Sequence, residues 1–168
     1  VNNAADATIG GTVAADRNTI AGNTSFVGVR IRGGSSTGLA LQGNVIGLSP
    51  SGTSIANSIG VLVESSVPAG LVIGGTSPNT ISGNTRYGVE IDGSSVKLQG
   101  NVIGLNSTDA ARPNGVGVRL GSVTNITIGG STASQRNVIS GNTAEGILLD
   151  SDGSTSLLIQ GNYIGTNS

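Results

Sequence analysis

The side chains that could do chemistry fall into two columns set by a repeated tetrad, Gly-apolar-x-apolar. It occurs as Gly28-Val29-Arg30-Ile31, Gly60-Val61-Leu62-Val63, Gly88-Val89-Glu90-Ile91, Gly117-Val118-Arg119-Leu120 and Gly146-Ile147-Leu148-Leu149. Read as period-two strands, the tetrads turn their alternate residues outward. The first column is then Arg30, Leu62, Glu90, Arg119 and Leu148, and the second is Arg32, Glu64, Asp92, Gly121 and Asp150. Seven of the 17 charged side chains lie on this one face. Glu64, Glu90 and Asp92 would sit on adjacent turns ~5 to 7 Å apart, a spacing that suits paired carboxylates in glycoside cleavage. Arg30, Arg32 and Arg119 could hold an anionic polysaccharide beside them. Tyr87 is the aromatic placed to stack on a sugar, and Phe26 and Tyr163 are the others in the chain. The competing reading is an exposed charge ladder, Arg32 beside Glu64 and Glu90 beside Arg119, with each pair contributing ~0 to 1 kcal/mol. The sequence favours the ladder, so no catalytic residue is assigned.

Other chemistries are excluded or weak. The chain has no Cys and no His, which removes thiolate nucleophiles, zinc fingers, disulfides and Ser-His-Asp triads. Asp150-Ser151-Asp152-Gly153 has the spacing of a calcium-loop fragment but lacks the later acidic ligands, and reads as a tight turn. No metal and no cofactor are therefore expected. Asn-x-Ser/Thr sequons begin at Asn23, Asn106 and Asn125. A net charge of -1 gives no electrostatic footprint for nucleic acid. No apolar run approaches the ~20 residues of a membrane span, so membrane insertion is not expected. Val1-Asn2-Asn3 lacks a charged-then-apolar leader pattern, and the chain reads as mature or excised.

The elements that must position these residues are repeats. The tetrad glycines are 32, 28, 29 and 29 residues apart. A second signature, Asn-x-Ile, begins at Asn18, Asn44, Asn79, Asn101, Asn137 and Asn162. Three residues after each Ile stands Asn23, Ser49, Asn84, Asn106, Asn142 or Asn167. An apolar-x-apolar pair precedes each Asn-x-Ile: Ala7/Ile9, Leu39/Leu41, Leu71/Ile73, Val96/Leu98, Ile126/Ile128 and Leu157/Ile159. Each repeat thus carries three short period-two strands joined by Gly, Ser and Asn. Strands this short satisfy their backbone only by pairing with the same strand one turn away, which makes a solenoid. Gly, Ser, Asn and Thr form about half of the 168 residues, too many for a helical protein.

Two turn types alternate. Gln-Gly-Asn joins the second and third strands at residues 42–44, 99–101 and 160–162, and extra residues follow as loops 48–59 and 105–116. In the other type Ile-Gly-Gly closes the second strand at 9–11, 73–75 and 128–130. The expectation is one all-β domain over 1–168, a parallel β-helix of about six turns in three super-repeats. Its Asn18, Asn44, Asn79, Asn101, Asn137 and Asn162 column is expected to be an internal amide ladder. An outward column would instead meet a sugar. The third-strand face, Thr19, Val45, Thr80, Val102, Val138 and Tyr163, is small and uncharged and suits lateral packing, unless the inserted loops cover it.

Residues 137–149 and 157–167 carry the pattern N-x-I-S-G-N…G-V-x-I…I-x-G-N-x-I-G-x-N. With it the chain resembles the right-handed parallel β-helix repeats of the pectin-lyase-like superfamily, as found in secreted and surface proteins. The resemblance implies the fold, an extracellular or cell-surface location, and a charged face that in the enzymes often holds the active site. No Asp cluster with a neighbouring Arg-x-x-Arg, the lyase pattern, is present. The family also contains adhesins and inert stalks, so fold alone does not give activity. No cap is visible at either end, and solenoids need one. The partners expected are therefore neighbouring repeats of a longer chain or further copies stacked head to tail, with a polysaccharide as the alternative.

Overall fold

The computed structural model describes residues 6–33, 38–65 and 70–166. Among these, seventeen short strands wind into a parallel β-helix. The first turn is β1 (Thr8–Gly10), β2 (Thr19–Ile20) and β3 (Val27–Ile31). The second is β4 (Ala40–Gln42), β5 (Val45–Ile46) and β6 (Ile59–Val63). The third is β7 (Leu71–Gly74), β8 (Thr80–Ile81) and β9 (Tyr87–Ile91). The fourth is β10 (Val96–Gln99), β11 (Val102–Ile103) and β12 (Val116–Leu120), and the fifth is β13 (Thr124–Gly129), β14 (Val138–Ile139) and β15 (Ile147–Leu149). Two strands of a sixth follow, β16 (Thr155–Gln160) and β17 (Tyr163–Ile164). The count is thus five complete turns and part of another. Among the described residues helix is limited to 3-10 turns at Ala14–Asp16 and Ala133–Gln135.

Like strands stack in three parallel sheets, β1-β4-β7-β10-β13-β16, β2-β5-β8-β11-β14-β17 and β3-β6-β9-β12-β15. Registers keep equivalent residues aligned, for example Ile46↔Ile81 and Val63↔Ile91. Val, Ile and Leu columns from all three sheets meet in one core, and Leu41, Val61, Ile73, Ile81, Val89, Leu98, Ile103 and Val118 are fully buried. Burial of such side chains is the main stabilising term, ~1.5 to 3 kcal/mol each before chain entropy.

Two ladders of asparagine amides run along the helix at the ends of the β2-type strands. In the first, Nδ2 of each residue donates to Oδ1 of the next: Asn18 to Asn44, Asn44 to Asn79, Asn79 to Asn101, Asn101 to Asn137 and Asn137 to Asn162, all at 2.9 to 3.1 Å. The second is Asn23, Asn57, Asn84, Asn114 and Asn142, with steps of 2.9 to 3.0 Å. Ser49 and Asn106 are not in it, and Asn167 lies outside the described residues.

The reason is the shape of the inserted loops. The N–H of Ile55 returns to the Gly47 carbonyl and that of Arg112 to the Gly104 carbonyl, both at 2.8 Å, so residues 48–55 and 105–112 leave the turn as closed excursions. Leu48 and Leu105 anchor them in the core. The turn resumes at Asn57 and Asn114, and the loops are shorter than the spans 48–59 and 105–116 suggest.

Candidate functional site

The charged face belongs to the β3-β6-β9-β12-β15 sheet. Register puts Arg119 beside Glu90 on one side and beside Leu148 on the other, and puts Arg30 and Glu90 either side of Leu62. Arg119 is the centre of the face. Its Nη1 lies 2.8 Å from Glu90 Oε1 and 2.8 Å from Asp92 Oδ1, and its Nη2 lies 3.2 Å from Asp150 Oδ2. Glu90 and Asp92 come from turn three and Asp150 from turn five, with Arg119 on turn four between them, so one guanidinium fork ties turns three, four and five together. Arg86 covers the Tyr87 ring at 4.9 Å from its centroid, and Arg119 approaches the same ring at 6.0 Å. Tyr87 is therefore flanked by cations rather than open as a stacking platform.

Glu64 stands apart from this cluster and is held by Arg30 through both Nε and Nη2. Arg32 is its neighbour in register, yet Arg32 is exposed and makes no ion pair among the described residues. Arg30 faces the aliphatic Leu62 directly across the strand pair, and so reaches one step along the face for its counter-charge. The pairing Arg32–Glu64 is thus replaced by a diagonal one.

Burial raises the Glu90 carboxyl above its ordinary range, the Asp92 charge raises it further, and Arg119 opposes both. Burial disfavours the Arg119 charge, but Asp92, Glu90 and Asp150 together hold its proton above the ordinary arginine value. The net arrangement is one guanidinium shared by three carboxylates, with the negative charges in excess. Glycosidic chemistry needs one carboxylic acid and one carboxylate facing a sugar. Here Glu64, Glu90 and Asp92 each face an arginine of the chain itself.

Among the described residues no group of three or more His, Cys, Asp or Glu is arranged to hold a metal. Asp150 of the Asp-x-Asp-Gly segment turns to Arg119, and Gly153 completes a tight turn at φ +91°. Of the sequon residues, Asn23 is in the second ladder. Asn106 folds its Oδ1 onto the Thr108 and Ala110 N–H groups at 3.0 Å. Asn125 is exposed.

A small cleft lies elsewhere, over the β2-β5-β8 face. It has about 100 Å³ of space between Leu48, Pro50, Pro78, Thr80, Asn106 and Arg17. The inserted loops therefore wall the third-strand face partway rather than hiding it.

The sequence reading missed Asn57 and Asn114. Both stand three residues before a tetrad glycine, Gly60 and Gly117, as Asn84 and Asn142 stand four before theirs. Counting back from the tetrad finds them, whereas counting forward from Asn-x-Ile runs into the insertion. The fold and its faces define a parallel β-helix repeat protein whose carboxylates on the charged face are paired with its own arginines. No family model, curated protein or solved structure matches the chain. The likeness to pectin-lyase-like repeats rests on the sequence pattern and on the β-helix itself.

Proposed function

We propose that the chain is a non-enzymatic structural β-solenoid of an extracellular or cell-surface protein, whose turns extend by stacking end to end. The observation that carries this reading is the Arg119 cluster. Three carboxylates that could have served a substrate are spent on one guanidinium, and the result is a staple across turns three to five. The amide ladders act in the same direction, because side chains able to bind a ligand are turned along the axis to hold one turn to the next. The location rests on the resemblance to secreted and surface repeats.

The test pairs electron microscopy and light-scattering mass across a concentration series with turnover assays on uronate and neutral polysaccharides. Rods with a ~29 Å repeat, six turns at ~4.8 Å each, are expected, together with no turnover. Polysaccharide cleavage abolished by Glu90→Gln would replace this reading with an enzymatic one.

A further inference from the structure

The β2-β5-β8-β11-β14-β17 face carries the same arginine twice, and only one copy has a ring beneath it. Arg17 and Arg136 each close a 3-10 turn, with φ and ψ of -63° and 127° against -67° and 124°. Each stands one residue before a first-ladder asparagine, Asn18 or Asn137. Arg136 reaches to the next turn. Its guanidinium covers the Tyr163 ring at 4.4 Å from the centroid, its Nη1 donates to the Tyr163 hydroxyl at 3.1 Å and its Nε donates to the Gly161 carbonyl at 3.0 Å. Tyr163 is the register partner of Val138, two residues after Arg136. The register partner of Thr19, two residues after Arg17, is Val45. Where Tyr163 fills the space beside Arg136, Val45 is short by a ring, and the cleft of about 100 Å³ opens there between Arg17 and Val45. The Arg17 guanidinium has no ion pair, hydrogen bond or ring contact among the described residues.

The far wall supplies a second unpartnered group. Asn106 comes from turn four, is 7% exposed and lines the cleft. Its Oδ1 is taken by the N–H groups of Thr108 and Ala110 and by the Thr108 hydroxyl. Its Nδ2 has no acceptor among the described residues. No fully enclosed side-chain nitrogen among them lacks a partner, so this amide faces the open space of the cleft. A Cβ on Gly52 would stand 3.3 Å from Nδ2, which sets the amide against the inserted loop 48–55 that forms the side wall. That wall is pinned, since Arg112 Nε donates to the Gly52 carbonyl at 2.8 Å. Between the two donors lie Val45, Leu48, Pro50 and Pro78, and no Asp or Glu lines the space. The volume is below the ~300 to 1,000 Å³ of sites for drug-sized ligands. It takes one ring with a polar group at each end.

We propose that this cleft binds a small monoanionic aromatic acid of one ring with a hydroxyl opposite its carboxylate, of the 4-hydroxybenzoate kind. The ring lies against the Arg17 guanidinium as Tyr163 lies against Arg136. Its carboxylate takes the place that the Tyr163 hydroxyl has beside Arg136, so the guanidinium makes charge-assisted bonds to it. Its hydroxyl accepts from Asn106 Nδ2 at the other end. Val45, Pro50 and Pro78 cover the rest of the ring. The charges agree, because Arg17 is the one ionised side chain of the lining and a single negative charge neutralises it. A sugar acid would meet the same cation but offer no π face to it. The site is on a different sheet from the Arg119 cluster and shares no residue with it.

The experiment is a titration of the full isotope-labelled chain with 4-hydroxybenzoate, read by nuclear magnetic resonance at the Asn106 side-chain amide and at Arg17 Nε. Saturable shifts at both are expected, with half-saturation at or below about 1 mM. Benzoate, which lacks the hydroxyl, should bind several-fold more weakly. Cyclohexanecarboxylate keeps the charge without the π face and should bind about ten-fold more weakly. Arg17→Ala should abolish saturation, and Arg17→Lys, which keeps the charge but not the planar stack, should weaken it several-fold. Arg136→Ala should leave it unchanged. Val45→Tyr rebuilds the Tyr163 arrangement inside the cleft, so it should block 4-hydroxybenzoate and raise the thermal midpoint, with circular dichroism checking that the variant keeps its β signal. Equal affinity for acetate or cyclohexanecarboxylate overturns the proposal by making the site a general anion contact. Tighter binding of glucuronate overturns it in favour of a sugar acid. No saturable shift at tens of millimolar, or undiminished affinity in a folded Val45→Tyr, also overturns it, and each of these outcomes leaves the structural reading standing.

Discussion

Arg112 reaches across two turns to Gly52: its Nε donates to the Gly52 carbonyl at 2.8 Å, joining the two inserted loops over a separation of 60 residues. The loops are otherwise held only at their bases, where Leu48 and Leu105 are buried and Ser82 Oγ donates to the Leu105 carbonyl at 2.7 Å. Their tips carry few apolar contacts, so they belong to the low-stability end of the molecule. Arg112→Ala should cost about 1 kcal/mol globally, the lower range for a charge-assisted bond at a half-exposed site. Its larger effect should be local. Hydrogen exchange at Ser49 to Thr53 should accelerate several-fold while exchange in β8 and β11 stays unchanged.

The amide ladder makes a sharper prediction, because position along it sets the cost. Asn79 is fully buried, donates to Leu41 at 2.8 Å and Asn101 at 2.9 Å, and accepts from the N–H and Nδ2 of Asn44 at 3.0 and 3.1 Å. Asn79→Ala strands groups on both adjoining turns, and each buried group left without a partner costs about 1 to 3 kcal/mol. A total loss of roughly 3 kcal/mol or more is expected by denaturant unfolding. Asn18 is exposed, and in the alanine variant its backbone N–H still donates to Asn44 Oδ1 at 3.3 Å, so Asn18→Ala should cost under about 1 kcal/mol. Equal losses at the two positions would show that the ladder is not a chain of dependent bonds.

These contrasts mark what a sequence of this kind discloses. Strand positions, inward columns and the Asn18-to-Asn162 ladder were legible because pairing at one turn's distance forces identical residues into line, and the line is visible as spacing. The second ladder was half hidden. An eight-residue excursion adds nothing to the stacked path, so counting through 48–55 misplaces Asn57 onto Ser49. The charged face was legible as columns but not as bonds. A long arginine chooses among carboxylates within several ångströms, and Arg30 takes Glu64 because Leu62 offers it nothing. The convergence of Asp92 and Asp150 on Arg119 likewise depends on side-chain reach, which strand register does not fix.

Gly104 tests whether stacking or backbone conformation sets the need for glycine. It has φ +95°, and a Cβ there would overlap the Ser140 carbonyl oxygen and press on Asn142 Oδ1 at 2.6 Å. Gly153 has nearly the same φ, +91°, with nothing within 4 Å of the added atom. Gly153→Ala should cost about 1 to 2 kcal/mol, the conformational penalty alone. Gly104→Ala should add the separation of turns four and five, and lose at least twice as much. A thermal midpoint for the two variants decides it, since equal shifts would mean that inter-turn contact at Gly104 contributes nothing.

The Arg119 cluster makes stability fall as pH rises, and more steeply once the arginine is removed. Glu90 has a native pKa raised above 4.5, first by burial and then by Asp92. A group raised in the folded state binds its proton more tightly there than in the unfolded chain. Its contribution is therefore complete below pH 4.5 and is lost as pH climbs through the raised native value. Glu90→Gln should remove that loss, leaving neutral-pH stability at or above wild type despite the broken pair with Arg119. Arg119→Met steepens the same dependence. It leaves Glu90, Asp92 and Asp150 without their shared cation, and should cost about 1 to 3 kcal/mol at pH 7. Protonating those carboxylates relieves the repulsion, so the deficit should shrink as pH falls through the carboxylate range. Urea midpoints for the three proteins at pH 4 and pH 7 measure both effects. An Arg119→Met deficit that is unchanged at pH 4 would mean that the guanidinium stabilises by packing on Tyr87 and its strand neighbours rather than by charge.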